Sequence, residues 1–346
     1  MKLLIIGASG YGNVGDDGYR VVFGEALGDK HELLFDSPHP DLRGVDWADA
    51  VIVGGGGVIY CNQTAHFDFM SLYLDRAIKQ RKPVAFASCG VQLRPSEHGP
   101  DFVASGKRLL TPWIPYLEYA SLITARSQMC LDIIRALTPD HPNAHWAPDA
   151  CYAMPRAGYS LVLPDSTVFI PTPSTVKKKD FQDLWAQHKG KPRVYVAAFA
   201  RDDQEVVRQL SLELEPHENY CGRWNLAPLD AMAVVQNAAK VITSRYHGYV
   251  FSRAAGLDES RIINLDKRYK ALVEKPPQNP ALEGARHMEL LRGMLEDPSS
   301  WRTKPAASSN ARPAAMVEGG VVSRVKESMR RRMYRLAILA KSRKFR

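Results

Sequence analysis

Ser244-Arg245-Tyr246-His247-Gly248 places a planar, permanently charged donor two residues from an imidazole, directly after the apolar run 239–243. Arginine grips carboxylates and phosphates through paired hydrogen bonds, and histidine gives or takes a proton near neutral pH. Just past a strand, alternate residues share a side, so Arg245 and His247 are expected to face one pocket. Near the other end, Gly12-Asn13-Val14-Gly15-Asp16-Asp17 follows the apolar run Leu3-Leu4-Ile5-Ile6. Glycines at 7, 10, 12 and 15 let backbone amides approach a ligand, and Asn13 can hold a turn. A carboxylate of Asp16 or Asp17 can accept the proton of an attacking alcohol, although both acids also suit the first turn of a helix. The spacing differs from the dinucleotide fingerprint, which needs three glycines in one tight turn.

Gly54-Gly55-Gly56-Gly57 ends a third apolar run. Four successive glycines carry an entropic cost, explained by close approach to a substrate or by a tight strand–helix turn. Arg201, Lys270, Arg126 and Asp149 also follow apolar runs, and each could equally be structural or a weakly paired surface charge.

Positioning such residues requires alternating strands and helices. Apolar, β-rich runs suggest strands at 2–8, 31–35, 50–54, 83–88, 122–125 and 144–146, with helices at 18–27, 67–80, 102–119 and 128–137. After a proline-punctuated stretch, a second series gives strands at 167–170, 193–199, 240–243 and 261–264, and helices at 178–188, 202–213, 229–238, 249–255 and 281–295. The expected fold is α/β, with two doubly wound Rossmann-like domains facing a central cleft in a GT-B-like arrangement. Residues 1–155 would form the acceptor side and 156–300 the donor side. A Pro-, Ala-, Ser- and Gly-rich linker follows at 301–320, then a C-terminal amphipathic helix at 321–346.

The chain of 346 residues is long enough for two such cores. Its five cysteines are odd in number and have neither metal-ligand nor redox spacing, so no metal is expected and a reducing compartment is. The first strand has too short an apolar core for a signal peptide, and no run suffices to span a bilayer. The location expected is cytosolic. Residues 321–346 hold ten basic residues against one acid, Glu327, so the tail carries the whole formal charge of +9. The body is neutral and has no nucleic-acid fold signature, so no nucleic-acid partner is expected.

These motifs together resemble the polysaccharide pyruvyl transferase family over residues 1–290. The family's Gly-Asn-x-Gly-Asp-Asp/Glu segment is matched by Gly12 to Asp17, its glycine run by Gly54 to Gly57, and its Pro-Asp pair by Pro148-Asp149. Its Ser-Arg-x-His-Gly segment is matched by Ser244 to Gly248, with Tyr246 where leucine is usual. An Asp-x-Lys-like element looks like Asp266-Lys267, with Lys270 a second candidate. Arg126-Ser127-Gln128 departs from the family's Arg-Asp-x-x-Ser, and Cys89-Gly90-Val91-Gln92 matches its Gly-x-Gly-Pro loop poorly.

The resemblance implies transfer of the enolpyruvyl unit of phosphoenolpyruvate onto two sugar hydroxyls, giving a cyclic ketal and free phosphate. Phosphoenolpyruvate is then a co-substrate, and no cofactor is implied. Arg245 and Arg201 would bind its carboxylate and phosphate, with Lys270 in support. His247 would protonate the methylene carbon, and Asp17, preferred to Asp16, would take the hydroxyl proton. Asn13, Gly15, Gly55 and Gly56 would line the substrate. The acceptor implied is a sugar, free or lipid-linked, of a surface glycan, and the basic helix would hold the enzyme to an anionic leaflet. Two rivals remain: a nucleotide-sugar glycosyltransferase on the same architecture, with Glu213, Glu215 or Glu218 holding a ribose, and a non-catalytic membrane scaffold.

Overall fold

The computed structural model describes residues 1–7, 10, 12–36, 41–60, 65–93, 101–214, 226–265 and 277–302. These lie in one compact unit, Met1–Lys304; the remainder, Pro305–Arg346, is a separate unit outside the described residues. Expectations for the tail helix and for Lys270, Asp266 and Lys267 therefore fall outside them as well.

Two parallel sheets organise the unit. The first holds β1 (Lys2–Ile6), β2 (Glu32–Phe35), β3 (Ala50–Tyr60), β4 (Val84–Gln92), β5 (Leu122–Ala125) and β6 (Ala144–Trp146), in the order β2-β1-β3-β4-β5-β6. The second holds β7 (Ser166–Ile170), β8 (Val194–Val196), β9 (Ala238–Thr243) and β10 (Ile262–Asn264), in the order β10-β9-β7-β8. Every pairing is parallel, so the connections must cross over, and helices do so. Near-continuous burial along β1, β3, β4 and β5 reflects cover on both faces. The alternation expected from the apolar runs is the one found.

One apolar core runs through both halves: Leu3, Ile5 and Phe23 pack in the same cluster as Val168, Ile170 and Phe251. Fully burying side chains of this size contributes ~1.5–3 kcal/mol each. Separate clusters cover the far faces of the first and second sheets.

Among the boundaries that differ from the sequence reading, three shape the site. Helix α1 (Val14–Leu27) starts four residues before the expected position, because the Asn13 side chain accepts from the Gly15 amide and caps it there. Asp16 and Asp17 thus lie in its first turn. Strand β3 runs straight through the four glycines, where a strand end was expected. Helix α10 (Tyr246–Ala254) begins at Tyr246, so His247 is helical and Arg245 is the residue before the helix. The single helix expected over 102–119 is broken into α4 (Phe102–Leu109), a short 3-10 turn and α5 (Ile114–Tyr119). Pro112 and Pro115 explain that break, since proline has no N–H to donate and crowds the preceding turn. A five-residue helix, α2 (Arg43–Trp47), had no sequence signal. Between it and α4 lies α3 (Ala65–Lys79).

After α6 (Gln128–Leu137), the second half supplies α7 (Lys179–His188), α8 (Gln204–Ser211), α9 (Pro228–Val235), α10 and α11 (Pro280–Glu296). Helix α11 returns to the first half: Arg292 donates to the Ala26 carbonyl, and His287 bonds Thr124 on β5.

Candidate active site

The C-terminal ends of β1, β3, β8 and β9 bring the chemically able residues together. The loop before α1 is tied to the end of the β8 segment by an antiparallel bridge between Asn13 and Ala200. Val14 N–H donates to the Phe199 carbonyl at 2.8 Å, and Arg201 N–H to that of Gly12 at 2.9 Å. This clasp joins the two halves one residue from Asn13 on one side and beside Arg201 on the other.

His247 is buried, only 8% exposed, and its Nε2 makes no hydrogen bond. That nitrogen lies 3.8 Å from Asp149 Oδ2. The ring meets Tyr19, Tyr246 and Phe251 edge-on, with centroids 5.7, 5.1 and 6.2 Å away. Gly15 lies so close beneath it that an added Cβ would fall 1.8 Å from Nδ1. Burial, joined by repulsion from Arg126 and Arg245 and opposed by Asp149, lowers the imidazole to about 4. At neutral pH it is uncharged.

Asp149 is fully buried and richly held. Oδ2 accepts from the Tyr19 hydroxyl at 2.6 Å and faces Arg126 Nη1 at 3.5 Å, while Oδ1 accepts from Cys151 N–H at 2.9 Å. Burial works against its charge, but His247, Arg126, Tyr19 and Cys151 N–H outweigh it and hold the carboxyl below its usual range. Arg126 is itself buried, with its guanidinium 5.0 Å from the Tyr246 ring centre and its Nε without an acceptor.

Asp16 points back toward the glycine strand. Its Oδ2 accepts from Asn13 Nδ2 at 2.6 Å, and a Cβ on Gly56 would fall 2.5 Å from its Oδ1. Burial of the carboxyl, then the negative charge of Asp17 and Asp149, outweigh Arg126 and Arg245 and push it up to about 7. Asp17 turns elsewhere: its Oδ1 accepts the Gly10 N–H.

Gly55 and Gly56 have φ of +78° and +81°, a region that penalises any side chain. A Cβ on Gly55 would strike the Tyr19 ring at 2.2 Å. The glycine run makes room for Tyr19 and Asp16 of the protein itself, rather than forming a turn. Asn13 caps α1 and orients Asp16.

Arg245 forms a two-pronged pair with buried Asp203, Nε to Oδ2 at 2.9 Å and Nη2 to Oδ1 at 2.5 Å. Asp203 also accepts the Ala200 N–H, which anchors it to the clasp. Burial raises the Asp203 carboxyl, and the hydrogen bonds and charge of Arg245 pull against that. Arg245 and His247 therefore reach different partners, and the strand-like alternation expected of them gives way to a strand–helix junction. Arg201 is exposed and engages the clasp through its backbone. Of the ribose candidates, Glu213 accepts from Trp185 and Lys189, which ties it to α7; Glu215 and Glu218 lie outside the described residues.

The sequence ranks Asp16 below Asp17 as a proton acceptor and leaves Asp149 and Arg126 open as structural. It carries no signal for Tyr19, for Asp203 as the partner of Arg245, or for His287. Contacts spanning up to 163 residues leave no local signature.

A family model described as polysaccharide pyruvyl transferase matches residues 19–256, more than half of the chain. Among solved structures, the chain is similar to a protein of Listeria monocytogenes described as a UDP-N-acetylglucosamine 2-epimerase. The two are 10% identical with a TM-score of 0.51, over 85% of this chain and 95% of that one. A UDP-GlcNAc 2-epimerase of Neisseria meningitidis gives 10% identity and a TM-score of 0.48, over 86% and 100%. An alpha-glucosyltransferase in complex with UDP gives 11% and 0.45, over 87% and 92%. At 10% identity the likeness to the Listeria protein concerns the fold alone, two Rossmann-like parallel sheets. No curated protein sequence matches the chain.

Proposed function

Because the chain belongs to the polysaccharide pyruvyl transferase family of ketal-forming transferases, we propose that it transfers the pyruvyl group of phosphoenolpyruvate to a sugar of a cell-surface glycan. The observation that carries this reading is His247: a buried imidazole with an unbonded Nε2, beside a carboxylate and between two arginines.

The chemistry follows from those neighbours. His247 protonates the methylene carbon, which becomes the methyl group. One sugar hydroxyl attacks C2, phosphate leaves, and a second hydroxyl closes the ketal. Of the two hydroxyl protons released, one balances that delivered to carbon and the other leaves with phosphate. Arg245, its guanidinium set by Asp203, and buried Arg126 provide fixed positive charge where the substrate's carboxylate and phosphate accumulate. Arg201, exposed beside the clasp, is the second candidate contact for the donor, and Lys270 remains a candidate outside the described residues.

Asp16 suits the base better than Asp17, because a carboxyl titrating near neutrality accepts a proton best at neutral pH, and Asp17 already receives the Gly10 N–H. The low value of His247 fits this scheme. A bound anion opposes the repulsion from Arg126 and Arg245 and so raises the imidazole from about 4, against the burial that is the main cause of its low value. We extend the proposal to the tail, where residues 321–346 would hold a cytosolic enzyme against an anionic leaflet carrying its acceptor.

The test is to incubate the protein with phosphoenolpyruvate and a panel of hexosides offering neighbouring hydroxyl pairs. Phosphate release should accompany a new ketal methyl resonance, and both should vanish in His247→Gln. Phosphate release without a ketal would contradict the reading.

A further inference from the structure

A second buried histidine, His287 on α11, is fully enclosed and plays no part in the chemistry above. Its Nδ1 lies 2.7 Å from Thr124 Oγ1. Thr124 Oγ1 accepts the Ser88 N–H at 2.9 Å, leaving its own hydroxyl to donate to His287. Nδ1 then accepts that hydrogen, whereas Nε2 is buried without a hydrogen-bond partner. Ser88 passes the contact on: its Oγ accepts the Ala150 N–H at 3.0 Å. It does so from φ +53°, a backbone conformation rare outside glycine and held here by its neighbours. His287 thus reaches the 147–151 segment through Thr124 and Ser88, at Ala150 directly after Asp149.

We propose that His287 is a positioning residue of the reaction, fixing through Thr124 and Ser88 the place of Asp149 opposite His247 and Arg126. This rests on the proposed function, since it assigns Asp149 a part in the same chemistry. Its physical basis is that Asp149 must satisfy Tyr19, Arg126, Cys151 N–H and His247 at once. A shift of the segment by a fraction of an ångström breaks that set.

The experiment compares His287→Leu, His287→Asn, His287→Gln and Thr124→Val. The leucine variant loses the bond to Thr124 and should lower kcat on the order of tenfold or more, with KM for phosphoenolpyruvate within about twofold. Asparagine keeps a polar atom where Nδ1 stood and should restore most of the rate; glutamine, which reaches past Thr124, should not. Thr124→Val should reproduce the leucine loss, and the double variant Thr124→Val/His287→Leu should be no slower than either single one. An unchanged kcat in His287→Leu, or losses that multiply in the double variant, would overturn the proposal. Should the leucine variant fail to fold, the contrast between asparagine and glutamine decides the matter alone.

A readout free of catalysis separates this from the functional reading. The His247 imidazole nitrogen resonances, assigned by their loss in His247→Gln, should move in His287→Leu and return toward wild type in His287→Asn. Resonances that stay put would refute the coupling even in a protein active on phosphoenolpyruvate. Resonances that move in a protein inactive on it would leave the coupling standing and remove the reaction.

Discussion

Asp16 and His247 together need one proton. Asp16 titrates at about 7 and His247 at about 4, so between those values the proton resides on Asp16. The reactive arrangement, protonated His247 with ionised Asp16, is a minor form of the same charge state. The profile of kcat/KM, which reports the free enzyme, should therefore fall above about pH 7 as Asp16 loses that proton, and below about pH 4 as a second one binds. A rate still rising above neutrality would contradict the assignment. Stability carries a mark of the same group in the same direction. A carboxyl raised in the folded state stabilises below its unfolded value, and that contribution is lost as pH rises through about 7. Asp16→Asn should accordingly unfold at a higher temperature than wild type at pH 8, while losing activity. An unfolding temperature equal to or below that of wild type would show that the buried charge is not strained.

At the scale of elements, the glycines of α1 distinguish function from filling. Gly15→Ala sets a methyl 1.8 Å from His247 Nδ1, whereas Gly24→Ala on the same helix meets nothing within 4 Å. Gly24→Ala should stabilise by about 0.5–1 kcal/mol with activity intact, and Gly15→Ala should cost on the order of a hundredfold in kcat. Equal effects in an unfolding and activity series would mean that Gly15 serves only the helix. The alternation of strands and helices was legible in the sequence because parallel sheets covered on both faces need unbroken apolar runs. The pairing of Gly12–Asp17 with Ser244–Gly248 was legible as two strand ends facing one another. The direction of each side chain was not. One residue of helix start moves His247 from a strand register to a helical one, and a capping side chain such as Asn13 decides it. Nor did any spacing announce that Arg245 would be met by Asp203, or that four glycines would house Tyr19 and Asp16.

The molecule as a whole places its two sheets on one shared core and fastens them with the clasp between Gly12–Val14 and Phe199–Arg201. Heat should therefore unfold both halves in one calorimetric transition. Among the described residues no helix is long and apolar enough to cross a membrane; the attachment proposed above rests on the basic tail. Removing 321–346 should abolish sedimentation with phosphatidylserine-containing vesicles and leave the unfolding temperature unchanged. A lowered unfolding temperature with vesicle binding intact would instead place the tail on the body of the protein.

The central claim is that phosphoenolpyruvate binds where Arg245 and His247 meet, and the unfolding temperature with and without this ligand tests it most directly. A ligand that binds only the folded state must raise it. Phosphoenolpyruvate is predicted to raise it in the wild type and not in Arg245→Ala, while UDP-sugars leave both unchanged. A rise with UDP-sugars and none with phosphoenolpyruvate would contradict the account.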